Sequence, residues 1–340
     1  MQKTGLLVRV VMALLAFAVS GAAHVAIAAD KTVIRFSSGI GSRTDPSNIA
    51  IQQFKSDVEA AAPGRLEVQV FYGNQLGTLQ DVTDQVKDGT IQMNSVSFGF
   101  LAKYFPDVQA VLLPFLFTDA DQAHATYDGP IGQEIKDKLA AKSGIRILGI
   151  GEFGFKNVFN SKHPVVTMQD LSGLKLRVVP TPITLATFKA LGAVPVSMDY
   201  AETYTGIQRG VLDGAEFAYG TIYDAKFYET AKYVSDTRHF FEGYCFTIND
   251  KFLHSLPEDL QKIVRDAGTK LQNFDRELVG KQDQEAKAQL AGKGMTLTTL
   301  SPEARAQMQK AVLPVYAEAK SKFGFGPDGI RWIDELTKGR

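Results

Sequence analysis

Cysteine is almost missing from this chain. Cys245 is the single thiol among 340 residues, so no disulfide can form within it and its stability must come from a packed core. An excess of charge of either sign is missing too. The 37 Lys and Arg balance 37 Asp and Glu, which leaves no basic surface for nucleic acid or an anionic membrane. Histidine is sparse: His24, His124, His163, His239 and His254 lie far apart, with no close pair at the spacing a zinc site uses, and no metal is expected. No G-x-S-x-G elbow occurs, and Cys245 lies in an aromatic, strand-like run, so no nucleophile and base pair is readable. Long apolar runs are absent after the first residues, which excludes a later membrane span. Internal repeats, low-complexity tracts and Pro/Gly-rich linkers are also lacking.

The one apolar run that stands out is at the start. Lys3 and Arg9 precede "VVMALLAFAV", and "AIAAD" supplies a small-x-small cleavage site. The run is too short to span a bilayer, so it reads as an export signal, cleaved after Ala28, of an exported protein, a membrane anchor being the alternative. Removing residues 1–28 takes two basic residues and no acid, leaving 35 against 37 and a net charge of −2. Roughly 310 remaining residues exceed one typical domain and predict two lobes.

The stretch "IRILGIGEFGF" carries Gly149, Gly151 and Gly154 at the spacing of a dinucleotide-binding turn. That turn works only when its third glycine opens a helix whose N-terminus holds the pyrophosphate. The following "FKNVFNSKHPVV" has no helical apolar stripe, and Asp170 precedes a strand instead of ending one. No cofactor is therefore expected. The stretch reads as a strand that needs close backbone approach and leaves one lobe for the other, with glycines where the chain must bend.

Elsewhere the periods are clear. Ala50, Phe54, Val58 and Ala61 follow Pro46 at helical spacing, and "RLEVQVFY" alternates as a strand. Leu76, Leu79, Val82 and Val86 form another helical stripe before the strand "IQMNSVSF". A second β-α-β-α-β unit runs from "LKLRVV" through "ITLATFKALG", "VPVSMD" and "AETYTGIQRG" to "LDGAEFA", where Asp199 and Glu202 have the spacing of a capping box. From Pro257 to about Leu290 one helix is expected, on the order of 45–50 Å long and so able to brace both lobes. In "LKLRVV" Leu174, Leu176 and Val178 share one face, and Arg177 lies on the other near the strand's carboxyl end. α/β sheets bind ligands at that end, and guanidinium matches a carboxylate bidentately. Arg177 is accordingly an anion-binding candidate, and an arginine at a solvated sheet edge is the alternative.

The run from "DLSGLKLRVVPTPITLATFKALG" to "GVLDGAEF" resembles the signature region of the TRAP-transporter solute-binding proteins, the DctP family. "YGNQLG", "LPFLF", "KFYETAKYVSDTRH" and "SLPEDLQKIV" follow the same order, so the resemblance covers nearly the whole exported chain. It implies a non-enzymatic, two-lobed α/β receptor of periplasmic-binding-protein type, with crossing strands and a long bracing helix. Such a receptor closes on an organic acid and hands it to a membrane permease. The lobes are expected as residues 29–154 plus 243–282 and 155–242 plus 283–340, in a monomer. The resemblance makes Arg177 the carboxylate clamp and Lys156, in "GFK", a second basic contact. It puts Phe217 where an asparagine is common, and adds Ser97, Phe98, Phe100, Tyr200, His239, Ser38 and Gly39 to the ligand-facing set. Glu216 is expected to orient Arg177, with a simple surface pair as the alternative. Phe98, Phe100 and Phe217 lead to the expectation of an aryl or branched-chain acid in preference to a hydroxylated or dicarboxylic one, with ordinary core packing as the alternative role of the three rings. A secreted α/β enzyme acting on carboxylates is the alternative reading.

Overall fold

The computed structural model describes residues 31–338; the export signal expected over residues 1–28 lies outside them. Among the described residues the strands are β1 (Thr32–Ser38), β2 (Leu66–Tyr72), β3 (Met93–Ser97), β4 (Ile145–Asn160), β5 (Lys175–Val178), β6 (Val194–Ser197), β7 (Gly214–Phe217), β8 (Tyr233–Asn249) and β9 (Thr296–Thr299). They form one sheet in the order β2-β1-β3-β8-β4-β7-β5-β6, with β9 added along β8. β1 runs parallel to β2 and β3, and β5 runs parallel to β6 and β7. The two parallel units meet through β4 and β8, long antiparallel strands that pass through both. This is the two-lobed α/β architecture with crossing strands that the sequence predicts.

The elements form for local reasons. In helix Pro46–Ala61, Asp45 accepts from the Ser47 N–H and proline occupies the first turn, where no N–H is needed. Its Phe54 meets Phe36 of β1 edge-on, with ring centroids 5.7 Å apart. The stripe expected from Leu76 to Val86 is shorter than its period implies. Gly77 adopts φ +123°, which only glycine enters readily, and Thr78 caps a helix that starts at Leu79. Leu76 instead ends a separate turn, Gly73–Leu76. The segment from Tyr200 to Gln208 is likewise split, into a turn over Tyr200–Glu202 and a helix over Thr203–Gln208. Asp199 caps the turn by accepting from the Ala201 N–H.

The long helix runs from Glu258 to Gly292, and it explains the glycines of β4. A Cβ at Gly149 would lie 2.7 Å from the Gly268 carbonyl oxygen, and one at Gly151 would collide with the Asp275 carboxylate. The helix sits directly on the strand backbone and bonds to it. Gln272 Oε1 accepts from the Ile150 N–H at 2.8 Å, Asp275 Oδ2 accepts from the Glu152 N–H at 2.8 Å, and Arg276 Nε donates to the Ile150 carbonyl at 2.9 Å. The β4–β8 register shifts just beyond, between Glu152 and Gly154, where Gly154 has φ +85°. Ile150 and Glu152 are paired with β8 on one side, and β7 joins β4 only from Asn157, so the helix supplies partners along the edge of β4 that no strand covers. Val264, Ala267 and Leu271 pack into the core of the β1–β3 unit. Further along, Gln282 donates to Asp224 at 2.6 Å and Asp283 accepts from the Gly220 N–H at 3.2 Å, which ties the helix to the other unit.

Burial pushes the Asp275 carboxyl up to about 8, against the opposing hydrogen bonds from Ser47 and the Glu152 N–H. The folded chain thus keeps a proton that the unfolded chain releases near the ordinary aspartate value of about 4. The stability this confers is complete below that value and is lost as pH rises toward 8. Asp45, raised to about 7, and Asp283, raised to about 6, act with the same sign. Asp275→Asn keeps an acceptor oxygen but cannot ionise. Urea denaturation between about pH 5 and pH 8 should show a smaller loss of stability in the variant than in the wild type. Parallel pH profiles would show that the Asp275 proton is unimportant.

Candidate functional site

At the carboxyl ends of the parallel strands of both units lies a cleft lined by residues of both, the place where α/β sheets bind ligands. β1 leads into it through Gly39 and Ile40, β3 through Ser97 and Phe100, β5 through Arg177 and Val179, and β7 through Phe217 and Ala218. β4 and β8 cross behind and add Phe153, Lys156, Glu242 and Tyr244, while Leu79, Tyr200 and Thr221 complete the wall. Asn74 Nδ2 donates to Asp199 Oδ1 at 3.1 Å, tying residues of the two units together.

Four charged side chains are buried together, with a neutral histidine behind them. Lys156 Nζ is 3.1 Å from Glu216 Oε1 and also contacts Glu242 Oε2. Burial alone would lower the lysine's pKa, but the two carboxylates outweigh it and hold it above the ordinary value. Burial would raise Glu216, yet Lys156, His239 and Arg177 together pull it below its usual range. His239 is driven down by burial and is neutral at physiological pH. Its Nδ1 is 2.8 Å from Thr237 Oγ1, and its Nε2 faces Glu216 Oε2 at 3.5 Å.

Arg177 is placed differently. It is 2% exposed, its Nε donates to the Met198 carbonyl at 2.9 Å, and its guanidinium carbon lies 5.5 Å from the centre of the Phe217 ring. Burial lowers its pKa, and Glu216 and Glu242 act on it only at longer range. Among the described residues no carboxylate forms a salt bridge with it. A buried guanidinium at a cleft wall, with both terminal nitrogens uncommitted to any carboxylate, is built to receive an anion.

Of the residues singled out from the sequence, Gly39, Ser97, Phe100, Lys156, Arg177, Tyr200 and Phe217 lie at this wall. Three others do not. Phe98 points into the core, 5.5 Å from Tyr127 and against Gly243. His239 lies behind the wall, edge-on to Phe188 at 5.1 Å. Ser38 is fully buried and accepts from the Ile40 N–H at 3.3 Å, which holds the turn presenting Gly39 and Ile40. Glu216 pairs with Lys156, not with Arg177, because the neighbouring strands β7 and β4 place those two side chains together. Sequence reasoning missed Ile40, Leu79, Phe153, Val179, Ala218, Thr221, Glu242 and Tyr244. Glu242 did leave a signal, as the lone acid in the aromatic run from Phe240 to Phe246.

The two buried cations should differ in what they do for stability. Lys156→Ala leaves two buried carboxylates without their partner, and breaking such a pair costs about 3–5 kcal/mol. Arg177→Ala removes a charge with no internal partner. In urea denaturation at neutral pH the lysine variant should lose most of that amount, and the arginine variant should stay within about 1 kcal/mol of the wild type. Equal losses would place both cations in one structural network.

Comparison with known proteins gives the family and the fold. Residues 36–322 match the family model described as bacterial extracellular solute-binding protein, family 7, also called DctP. A solute-binding protein of Verminephrobacter eiseniae is 33% identical over 299 residues, 88% of each chain. The 2,3-diketo-L-gulonate-binding periplasmic protein YiaO of Escherichia coli is 33% identical over 243 residues, 72% of this chain and 74% of that one. Among solved structures, the sugar acid binding protein DctPAm of Advenella mimigardefordensis, in complex with galactonate, superposes with TM-score 0.86 at 28% identity, covering 91% of this chain and 99% of that one. A TRAP periplasmic solute-binding protein of Sulfitobacter with bound β-D-galacturonate gives TM-score 0.85 at 25% identity, covering 90% and 99%. The chain therefore belongs to the DctP family of bacterial extracellular solute-binding proteins, the family its sequence resembles.

Proposed function

We propose that this protein captures a small organic acid between its two lobes in the periplasm and delivers it, chemically unchanged, to the membrane subunits of a TRAP transporter. The observation that carries this reading is the buried Arg177, which faces the cleft without a carboxylate partner. A ligand carboxylate supplies the missing charge and accepts two parallel hydrogen bonds. Family membership and the acids bound by the related structures support the same class.

The protein acts as a monomer, exported through residues 1–28. Its lobes comprise residues 29–154 plus 243–282 and residues 155–242 plus 283–340, a division supported by the register shift between Glu152 and Gly154. Lys156 acts on the ligand through whatever donor capacity its two glutamates leave. Ile40, Leu79, Phe100, Phe153 and Phe217 favour a ligand body with an apolar face, aryl or branched. Ser97, whose buried Oγ has no hydrogen-bond partner among the described residues, together with Tyr200 and Thr221, offers hydroxyls to a polar edge.

A thermal-shift screen against an acid library identifies the ligand, since an acid at 100 times its Kd stabilises the fold by about 2.7 kcal/mol. Arg177→Ala should then abolish the shift. Losing one partner of a desolvated charge pair costs about 2–5 kcal/mol, or roughly 30-fold to several-thousand-fold in affinity. Less than a threefold loss by calorimetry would remove Arg177 from the site.

A further inference from the structure

The charges around the cleft are nearly all matched from within. Lys156 is held between Glu216 and Glu242, His239 is neutral, and burial keeps the Tyr200 and Tyr244 phenols protonated. The wall thus presents one cation in need of a partner, Arg177, and one carboxylate of its own, Glu242. Behind the wall the remaining groups that act on it are acidic: Asp45 and Asp224 act on Tyr200, and Asp199 acts on Arg177.

From this arrangement we infer that the site admits acids carrying a single negative charge and bars a second carboxylate, and that Glu242 is the residue that bars it. The inference rests on the carboxylate reading above and adds a limit to it. The buried cluster holds two cations, Lys156 and Arg177, and two carboxylates, Glu216 and Glu242, so a first ligand carboxylate on Arg177 leaves it one negative charge in excess. A second would enter a cleft whose lining, among the described residues, offers no free cation to receive it, because Lys156 already has two carboxylate partners. It would also stand in the same cavity as the Glu242 carboxylate, and a buried anion without a partner is strongly disfavoured. Hydroxyl groups or carbon on the same skeleton meet no such barrier. The limit therefore holds whether the ligand body is apolar or hydroxylated.

Two matched pairs of acids test it. 4-Methylpentanoate and succinate share a skeleton, with an isopropyl group in place of the second carboxylate. D-Gluconate and D-glucarate differ only in a terminal hydroxymethyl group oxidised to carboxylate. In calorimetry at neutral pH with the exported form of the protein, the monoacid should bind at least tenfold more tightly than its diacid in any pair that binds. Glu242→Gln removes the wall charge while leaving Lys156 its Glu216 partner, and it should cut that preference at least tenfold, chiefly by tightening the diacid. A diacid that binds the wild type as tightly as its monoacid overturns the inference and leaves the carboxylate reading intact. An unchanged preference in a folded Glu242→Gln protein removes Glu242 from the role. Failure of all four acids and of every acid in the wider screen overturns the carboxylate reading, and the inference with it.

Discussion

The structure turns on the unequal treatment of two buried cations. Lys156 and Arg177 are both almost inaccessible to solvent, yet the fold gives the lysine two carboxylates and the arginine none within salt-bridge reach. Burying a charge without a partner is costly, so the fold carries that cost at one selected point and offsets it elsewhere through the core and the sheet. What results is a cleft in which one guanidinium keeps its terminal nitrogens free of carboxylate contact until an anion arrives. Lysine and arginine suit these parts. A compact ammonium fits between two glutamates, whereas a planar guanidinium keeps a two-pronged donor edge for a carboxylate.

The mechanics depend on β4 and β8 being shared by both units. A strand needs backbone partners along an edge that no other strand covers, and the long helix provides them to β4 through Gln272, Asp275 and Arg276. That close seat is possible only because positions 149 and 151 carry no side chain. Glu242 and Lys156 lie just past this point, next to the register shift. The charge cluster thus sits at the place where the two lobes meet.

Much of this was legible in the sequence. The strict alternation of "RLEVQVFY", the apolar positions of the long helix and the two β-α-β-α-β units led directly to the lobes, because period and burial are local signals. The rejection of a nucleotide-binding turn at "GIGEFG" rests on the missing helix, and the structure supplies the positive cause in the long helix packed against Gly149 and Gly151 and in the positive φ of Gly154. Arg177 was legible from its place near the end of an apolar strand. Less legible was what each charged group faces. Glu216 follows Arg177 by 39 residues in sequence, but strand order puts it beside Lys156. Phe98 and Phe100 are two residues apart, yet one enters the core and the other the cleft, because a short helix, Phe98–Leu101, turns the chain there. Glu242 gave only the faint signal of an acid among aromatics.

The central claim is that Arg177 is left without an internal counter-ion so that a ligand can supply one. A crystal structure of the protein with the tightest-binding acid from the library tests this most directly. The account predicts both carboxylate oxygens about 2.7–2.9 Å from the two terminal nitrogens of Arg177, with Lys156 still between Glu216 and Glu242. An acid held elsewhere in the cleft, with Arg177 turned to pair with Glu216 or Glu242, would contradict it.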